Sequence, residues 1–170
     1  MKNGIGEVKI RTAEQSDLQV LCDIYNYEIE HTTVTFDMNP KSCKERQTWF
    51  DAHNIENHPL IVAELEGKVV GYASLSPYRL LEAYKETVEL SVYVDRSVRG
   101  RGIGKLLMQS ILDDARARED VHCVISVITA DNETSIWLHE AFGFTCCGVM
   151  REVGTKFGKL LDIVNYQLIV

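Results

Sequence analysis

Thr87-Val88-Glu89-Leu90-Ser91-Val92-Tyr93-Val94, followed shortly by Arg99-Gly100-Arg101-Gly102-Ile103-Gly104-Lys105, decides how the rest of the chain is read. Val88, Leu90, Val92 and Val94 alternate along one face of a strand, and Glu89, Ser91 and Tyr93 occupy the other. Leu106, Leu107, Ile111 and Leu112 then recur at helical spacing. The glycine-rich turn between the two elements sets several free backbone N–H groups at a helix N-terminus, where unpaired donors and partial positive charge suit a pyrophosphate. Gly100, Gly102 and Gly104 allow positive φ and close approach of the backbone.

Two common nucleotide loops do not fit. A dinucleotide fingerprint requires glycine at 105 or 107, where the chain has Lys105 and Leu107. A triphosphate P-loop requires glycine at 99 and a hydroxyl residue at 106, where the chain has Arg99 and Leu106. What remains is Arg-x-x-Gly-x-Gly after a strand and opening an amphipathic helix, which resembles the pyrophosphate loop of the GNAT superfamily of N-acetyltransferases. The competing reading is a basic surface turn that only caps a helix.

Working outward, Val8 and Ile10 alternate with charges in a first strand over 7–11, and a helix runs through Leu18, Leu21, Ile24 and Tyr25 after capping types between Thr12 and Asp17. A second helix follows Pro40 and carries Trp49 and Phe50. Leu60–Leu65 and Val69–Leu75 flank Glu66-Gly67-Lys68 as a hairpin, and Pro77 to Glu86 reads as a loop. Beyond the central strand and helix come a strand at Cys123–Ile128, a helix from Glu133 to Phe142, and strands near 144–152 and 160–169 around turns at Gly154 and Gly158. The order β-α-α-β-β-β-α-β-α-β-β predicts an α/β class: a mixed sheet of about seven strands with helices on both faces.

The chain has 170 residues, 45% of them hydrophobic, which suits one domain spanning 1–170. A formal charge of −7 argues against general nucleic-acid binding, so the basic residues at 99–105 read as local. No apolar run reaches the roughly 18–20 residues a bilayer crossing needs, and the polar start lacks a signal-peptide core. A cytoplasmic protein with no membrane association is expected. Five cysteines without a Cys-x-x-Cys pair suit reduced thiols, with Cys146 and Cys147 read as strand residues. The five histidines form no pair at metal-ligand spacing, so no metal is expected.

The resemblance extends over nearly the whole chain. Tyr25-Asn26-Tyr27 with Thr35-Phe36, Gly71-Tyr72-Ala73, the central strand, Asn132-x-x-Ser135, Leu138-His139-Glu140-x-x-Gly143-Phe144 and Gly154-x-Lys156-Phe157-Gly158 follow the order and spacing of phosphinothricin N-acetyltransferase-like proteins. It implies a splayed sheet, acetyl-CoA as cosubstrate, and transfer to the primary amine of a small amino-acid-like acceptor such as phosphinothricin, methionine sulfoximine or methionine sulfone, in a ternary complex. It also implies pantetheine pairing near Val92, Tyr93 and Val94, the phosphate cradle at Arg99 to Lys105, further cofactor contacts from Asn132 and Ser135, and a homodimer.

An alkyl ammonium must lose a proton before it can attack, and the resemblance puts the family's glutamate at Glu89 as the base. The alternative is a structural carboxylate paired with Arg79 or Lys85. A backbone N–H of the central strand would hold the oxyanion. His139 stands where many relatives carry a tyrosine, either as acid to the leaving thiolate or as a ring that only packs beside CoA. Asn132 is a good N-cap by type in addition to its implied cofactor role.

The resemblance places Phe36, Arg79, Tyr84 and Lys156 at the acceptor. Relatives often carry Arg-x-Arg-Pro-Ala-Tyr in the loop before the central strand, whereas this chain reads Arg79-Leu80-Leu81-Glu82-Ala83-Tyr84. One cation is lost and one anion gained, which implies an acceptor less acidic than phosphinothricin. Two other readings are acetylation of a protein N-terminus or lysine, and a non-catalytic acetyl-CoA sensor, which would need neither Glu89 nor His139.

Overall fold

The structure is a computed structural model that describes residues 7–170; the start of the chain, on which the reading of no signal peptide rests, lies partly outside them. The helices and strands are β1 (Val8–Thr12), α1 (Leu18–His31), α2 (Cys43–Asp51), β2 (Leu60–Leu65), β3 (Lys68–Pro77), β4 (Thr87–Val94), α3 (Ile103–Ala117), β5 (Cys123–Thr129), α4 (Glu133–Ala141), β6 (Thr145–Lys156) and β7 (Lys159–Ile169). This is the expected order. The strands form one seven-stranded sheet in the order β1-β2-β3-β4-β5-β7-β6, in which β4–β5 is parallel and the other pairs are antiparallel.

Local chemistry sets the helix starts. Ser42 caps α2, accepting from Glu45 N at 3.3 Å, while the Glu45 carboxylate accepts from Ser42 N at 2.8 Å. Asp17 ahead of α1 accepts from Glu14 N at 2.8 Å and holds Arg11 of β1 in two hydrogen bonds of 2.7 and 2.9 Å.

The sheet divides the core. On one face the buried stripe of α3, Ile103, Leu107, Met108, Ile111, Leu112 and Ala115, packs on Val88 and Leu90 of β4 and Val124 and Ile128 of β5. Each large side chain so buried contributes about 1.5–3 kcal/mol. On the other face Leu18, Leu21 and Ile24 of α1 and Phe50 of α2 meet Val62 and Tyr72. The alternation along β4 is as expected: Val92 and Val94 pack with the first cluster, Tyr93 with the second.

Several ends shift by one residue, and two boundaries differ by more. Pro77 belongs to β3, at its end, where its lack of an N–H costs no ladder bond beyond the hairpin. Gly154 makes no turn: β6 continues through it to Lys156, with irregular register between Met150 and Gly154, and the chain reverses at Phe157-Gly158. Cys146 and Cys147 lie on β6, as expected.

Candidate active site

The β4–β5 ladder consists of three pairs, Thr87↔Cys123, Val88↔Val124 and Glu89↔Ile125, after which the strands part. Asp95 N donates to Val70 O, so the alternation of an antiparallel ladder turns the backbone of Tyr93, Ser91 and Glu89 towards β3 and that of Leu90, Val92 and Val94 towards β5. The Leu90 N–H closes the last rung with Ile125, and the groups beyond it face a cleft of about 530 Å³ instead of a strand. Arg99 Nε takes the Val94 carbonyl at 3.1 Å. The Leu90 carbonyl, both groups of Val92 and the Val94 N–H form an edge to which an extended amide chain can add.

The mouth of this cleft is the glycine-rich turn. Gly100 and Gly102 have φ of +74° and +81°, the left-handed region, and a Cβ at either would meet nothing within 4 Å. Glycine is required there by backbone conformation, not by crowding. Gly102 is the N-cap of α3, and its carbonyl accepts from Leu106 N, which leaves the first N–H groups of the helix directed at the cleft.

Of the implied cofactor residues, Val92, Tyr93, Val94, Arg99, Gly100, Gly102, Ile103, Gly104, Lys105, Asn132 and Ser135 all line the cleft, and Arg101 is exposed outside its walls. Arg99 has a second employment, since its guanidinium is bonded to the buried carboxylate of Glu28 and ties α1 to the end of β4. Asn132 caps α4, its Oδ1 accepting from Ser135 N at 3.2 Å, while it lines the cleft as well.

Of the two predicted catalytic residues, His139 lines this cleft and Glu89 does not. Glu89 occupies the last rung of the ladder, half-buried, and forms no ion pair with Arg79 or Lys85. Burial alone pushes its pKa above the usual glutamate value. Its neighbour across β3 is Ser76, whose Oγ lies 2.9 Å from His53 Nε2.

His139 is buried on the α4 wall, and its Nδ1 lies 2.7 Å from the Ser135 carbonyl. A carbonyl only accepts, so Nδ1 carries the proton and the neutral ring presents a bare Nε2. Burial lowers the His139 pKa, which favours this neutral form, against the opposing pull of the Ser135 bond. Nε2 has no hydrogen-bond partner among the described residues, and neither has the buried Ser126 Oγ of β5, another wall residue.

The acceptor candidates fall into two clusters. Phe36 belongs to the segment between α1 and α2, which is fixed from several sides. Tyr25 Oη donates to Asp37 at 2.8 Å, Lys156 Nζ donates to Thr35 O at 2.6 Å, and Thr129 Oγ1 donates to Thr33 O at 2.6 Å. Lys156 is buried and so engaged, with burial lowering its pKa. Arg79 and Tyr84 sit in the segment that leaves the β3–β4 hairpin beyond the Glu89–Ser76 rung, with Arg79 5.7 Å from the Tyr84 ring centre and 5.2 Å from that of Tyr78. Leu80 and Leu81 beside them are exposed, Leu80 at 96%.

Glu28 and Ser126 were not anticipated. Both had a signal: Glu28 continues the buried helical stripe of Leu21 and Ile24, and Ser126 shares the inward face of Val124 and Ile128. Among the described residues no three or more His, Cys, Asp or Glu side chains gather as a metal site.

Comparison with known proteins agrees with this geometry. The Acetyltransferase (GNAT) family matches residues 22–144. The chain is 41% identical to a phosphinothricin N-acetyltransferase of Streptomyces coelicolor, covering 96% of this chain and 97% of the relative. It is 40% identical to an L-methionine sulfoximine/L-methionine sulfone acetyltransferase of Pseudomonas paraeruginosa, over 94% and 92% of the two chains. A phosphinothricin acetyltransferase from Sinorhizobium meliloti, solved in complex with AcCoA, superposes with a TM-score of 0.92 at 33% identity, covering 96% of this chain and 88% of that one. Matched almost end to end by these relatives and by the family model over most of its length, this chain belongs to the GNAT acetyltransferase family and is an acetyl-CoA-dependent N-acetyltransferase.

Proposed function

We propose that the chain acetylates the α-amino group of a small, weakly acidic amino acid of the methionine sulfone or sulfoximine type, with Glu89 as the base. The observation that carries this reading is the position of Glu89: a half-buried carboxylate with no ion pair among the described residues, on the last rung before β4 and β5 separate. The open backbone of Val92 and Val94 pairs with the pantetheine arm, and the turn at Gly100 to Gly104, with Lys105, holds the pyrophosphate. That direction of binding brings the thioester to the level of Leu90, next to Glu89. Glu89 takes a proton from the substrate ammonium directly or through one water, and the raised pKa suits a base working near neutrality. The Val92 N–H, the first of β4 beyond the ladder to face the cleft, is the donor for the oxyanion.

His139 enters this scheme as a neutral acceptor, since its one ring proton is held by Ser135. Phe36 on one side and Arg79 with Tyr84 on the other border the acceptor, with Arg79 available to a carboxylate and the exposed Leu81 to an uncharged side chain. Lys156 acts through Thr35, holding the segment that carries Phe36.

The five cysteines are all free, which suits a reducing compartment, and we assign the enzyme to the cytoplasm. Among the described residues no helix is long and apolar enough to cross a membrane. The edge strand β6 exposes Val149, Met150 and Val153, a surface suited to a second copy in a homodimer.

The test is CoA release from acetyl-CoA with methionine sulfone, methionine sulfoximine, phosphinothricin, the standard amino acids and a basic peptide offered in turn. Turnover greatest on a sulfone or sulfoximine is the expected result. Turnover on the peptide alone would overturn the reading.

A further inference from the structure

Ser126 is the first β5 residue past the last β4–β5 pair, Glu89↔Ile125, so it stands across from Leu90 where the next rung would have been. Its side chain is 1% exposed, lies on the inward face with Val124 and Ile128, and lines the cleft with a hydroxyl that bonds to none of the described residues. A buried, unsatisfied hydroxyl costs free energy and contributes nothing to the strand, where an alanine would pack without that loss. A second wall residue, His139, also carries an orphan: its buried Nε2, which in the neutral ring can only accept, has no partner among the described residues. Two wall residues of the cleft thus carry an O–H donor and a bare nitrogen acceptor, and Ser126 is at the level of Leu90, where the binding proposed above puts the thioester.

We propose that Ser126 is a catalytic residue of the acetyl transfer, its Oγ–H donating a hydrogen bond to the CoA sulfur as the carbon–sulfur bond breaks. The inference rests on the acetyl-transfer reading above. The amine nitrogen forms a bond to the acetyl carbon, and the carbonyl π pair moves onto oxygen. One ammonium proton passes to Glu89. The carbonyl then re-forms, and the carbon–sulfur bonding pair departs with sulfur as thiolate. Ser126 keeps its proton and stabilises the thiolate through O–H···S⁻. The attacking nitrogen gives up its second surplus proton to water as the carbonyl re-forms, the thiolate is later protonated from water, and the proton on Glu89 returns to water; neutral amide, thiol and one released proton result, so charge and atoms balance. The thiol so formed can donate to His139 Nε2, and the two orphan groups serve the two ionisation states of the product.

The experiment is titration of the thiol of CoA bound to the protein, followed by thiolate ultraviolet absorbance, in wild type, Ser126→Ala and Ser126→Thr, alongside kcat and the affinity for acetyl-CoA. A hydrogen bond to a charged acceptor corresponds to roughly 1–2 pKa units. Ser126→Ala is expected to raise the bound thiol pKa by about that amount and to lower kcat about 10–100-fold with unchanged acetyl-CoA affinity. Ser126→Thr is expected to retain both properties. A bound thiol pKa that is the same in Ser126→Ala and wild type overturns the proposal, whatever happens to kcat, because a packing role would slow turnover without moving that titration. Wild-type protein that binds CoA but acetylates nothing would defeat the acetyl-transfer reading and leave the thiol titration to decide Ser126. Failure of wild type to bind CoA would remove both.

Discussion

Phe36 lies flat against the backbone of Gly154: a Cβ built on Gly154 would fall 2.1 Å from Phe36 Cε2. The β6–β7 hairpin thereby supports a ring of the α1–α2 segment, and Lys156, two residues on, bonds to Thr35 beside it. Gly154→Ala must push the ring away, and since Phe36 is partly exposed the ring can move without unfolding its surroundings. Steady-state kinetics should show the KM for the acceptor rising about 10-fold, the loss of about 1.4 kcal/mol, with the acetyl-CoA affinity unchanged. An unchanged acceptor KM would show that Phe36 does not border the acceptor.

Glu89→Gln should lower kcat by roughly 10²–10⁴ while leaving acetyl-CoA binding intact. A base works deprotonated, so wild-type turnover should climb as pH rises through the elevated Glu89 pKa. An acid works protonated, so a catalytic imidazolium at His139, whose pKa is lowered by burial, would make turnover begin to fall below the ordinary histidine value and go on falling as pH rises past it. The expected profile has no such falling limb between about pH 6.5 and 8.5. A descending limb there that disappears in His139→Phe would restore His139 as the acid.

Gly102→Ala places a side chain at φ +81°, with space for the methyl but not for the conformation. The strain is of order 1–2 kcal/mol. Calorimetric titration should show acetyl-CoA binding weakened about 10-fold or more, because the first N–H groups of α3 turn away from the phosphates. Equal affinity in the variant would mean the turn is not the phosphate cradle.

Asp17 receives the Arg11 fork and the Glu14 N–H. Burial raises its pKa, but these hydrogen bonds outweigh it and hold the carboxyl below the usual range. A depressed folded-state pKa stabilises above the unfolded value and is lost as pH falls through the folded one. Asp17→Asn should cost about 1.5–3 kcal/mol at pH 7 by urea unfolding, and the gap to wild type should close as pH falls below about 4. A gap constant down to pH 2 would count against the ion pair.

Much of this was legible in the sequence because it depends on local periodicity. The alternation in Val88 to Val94 and the helical recurrence from Ile103 to Leu112 survive into the fold because each is buried on one face only. Gly154 was misread as a turn because glycine marks both reversals and places where another group presses on the backbone, and the sequence does not show Phe36 arriving from more than a hundred residues away. Arg99 was read as a phosphate ligand by its place in the motif, while its bond to Glu28 depends on the packing of α1 against β4. Ser126 was passed over as an ordinary strand residue, and its importance appears only when β4 and β5 are seen to part beside it.

The parting of β4 and β5 also has a mechanical meaning. With three pairs joining them, the β1–β4 side and the β5–β7 side of the sheet share few backbone bonds along this seam. A donor laid between them replaces missing rungs and acts as a strut. The amides of Val92 and Val94 should therefore exchange with solvent deuterium readily in the free enzyme and slow down together on donor binding, while the longer β2–β3 ladder changes little. In that sense the cosubstrate is the last structural member of the sheet, and the enzyme is assembled anew in each turnover.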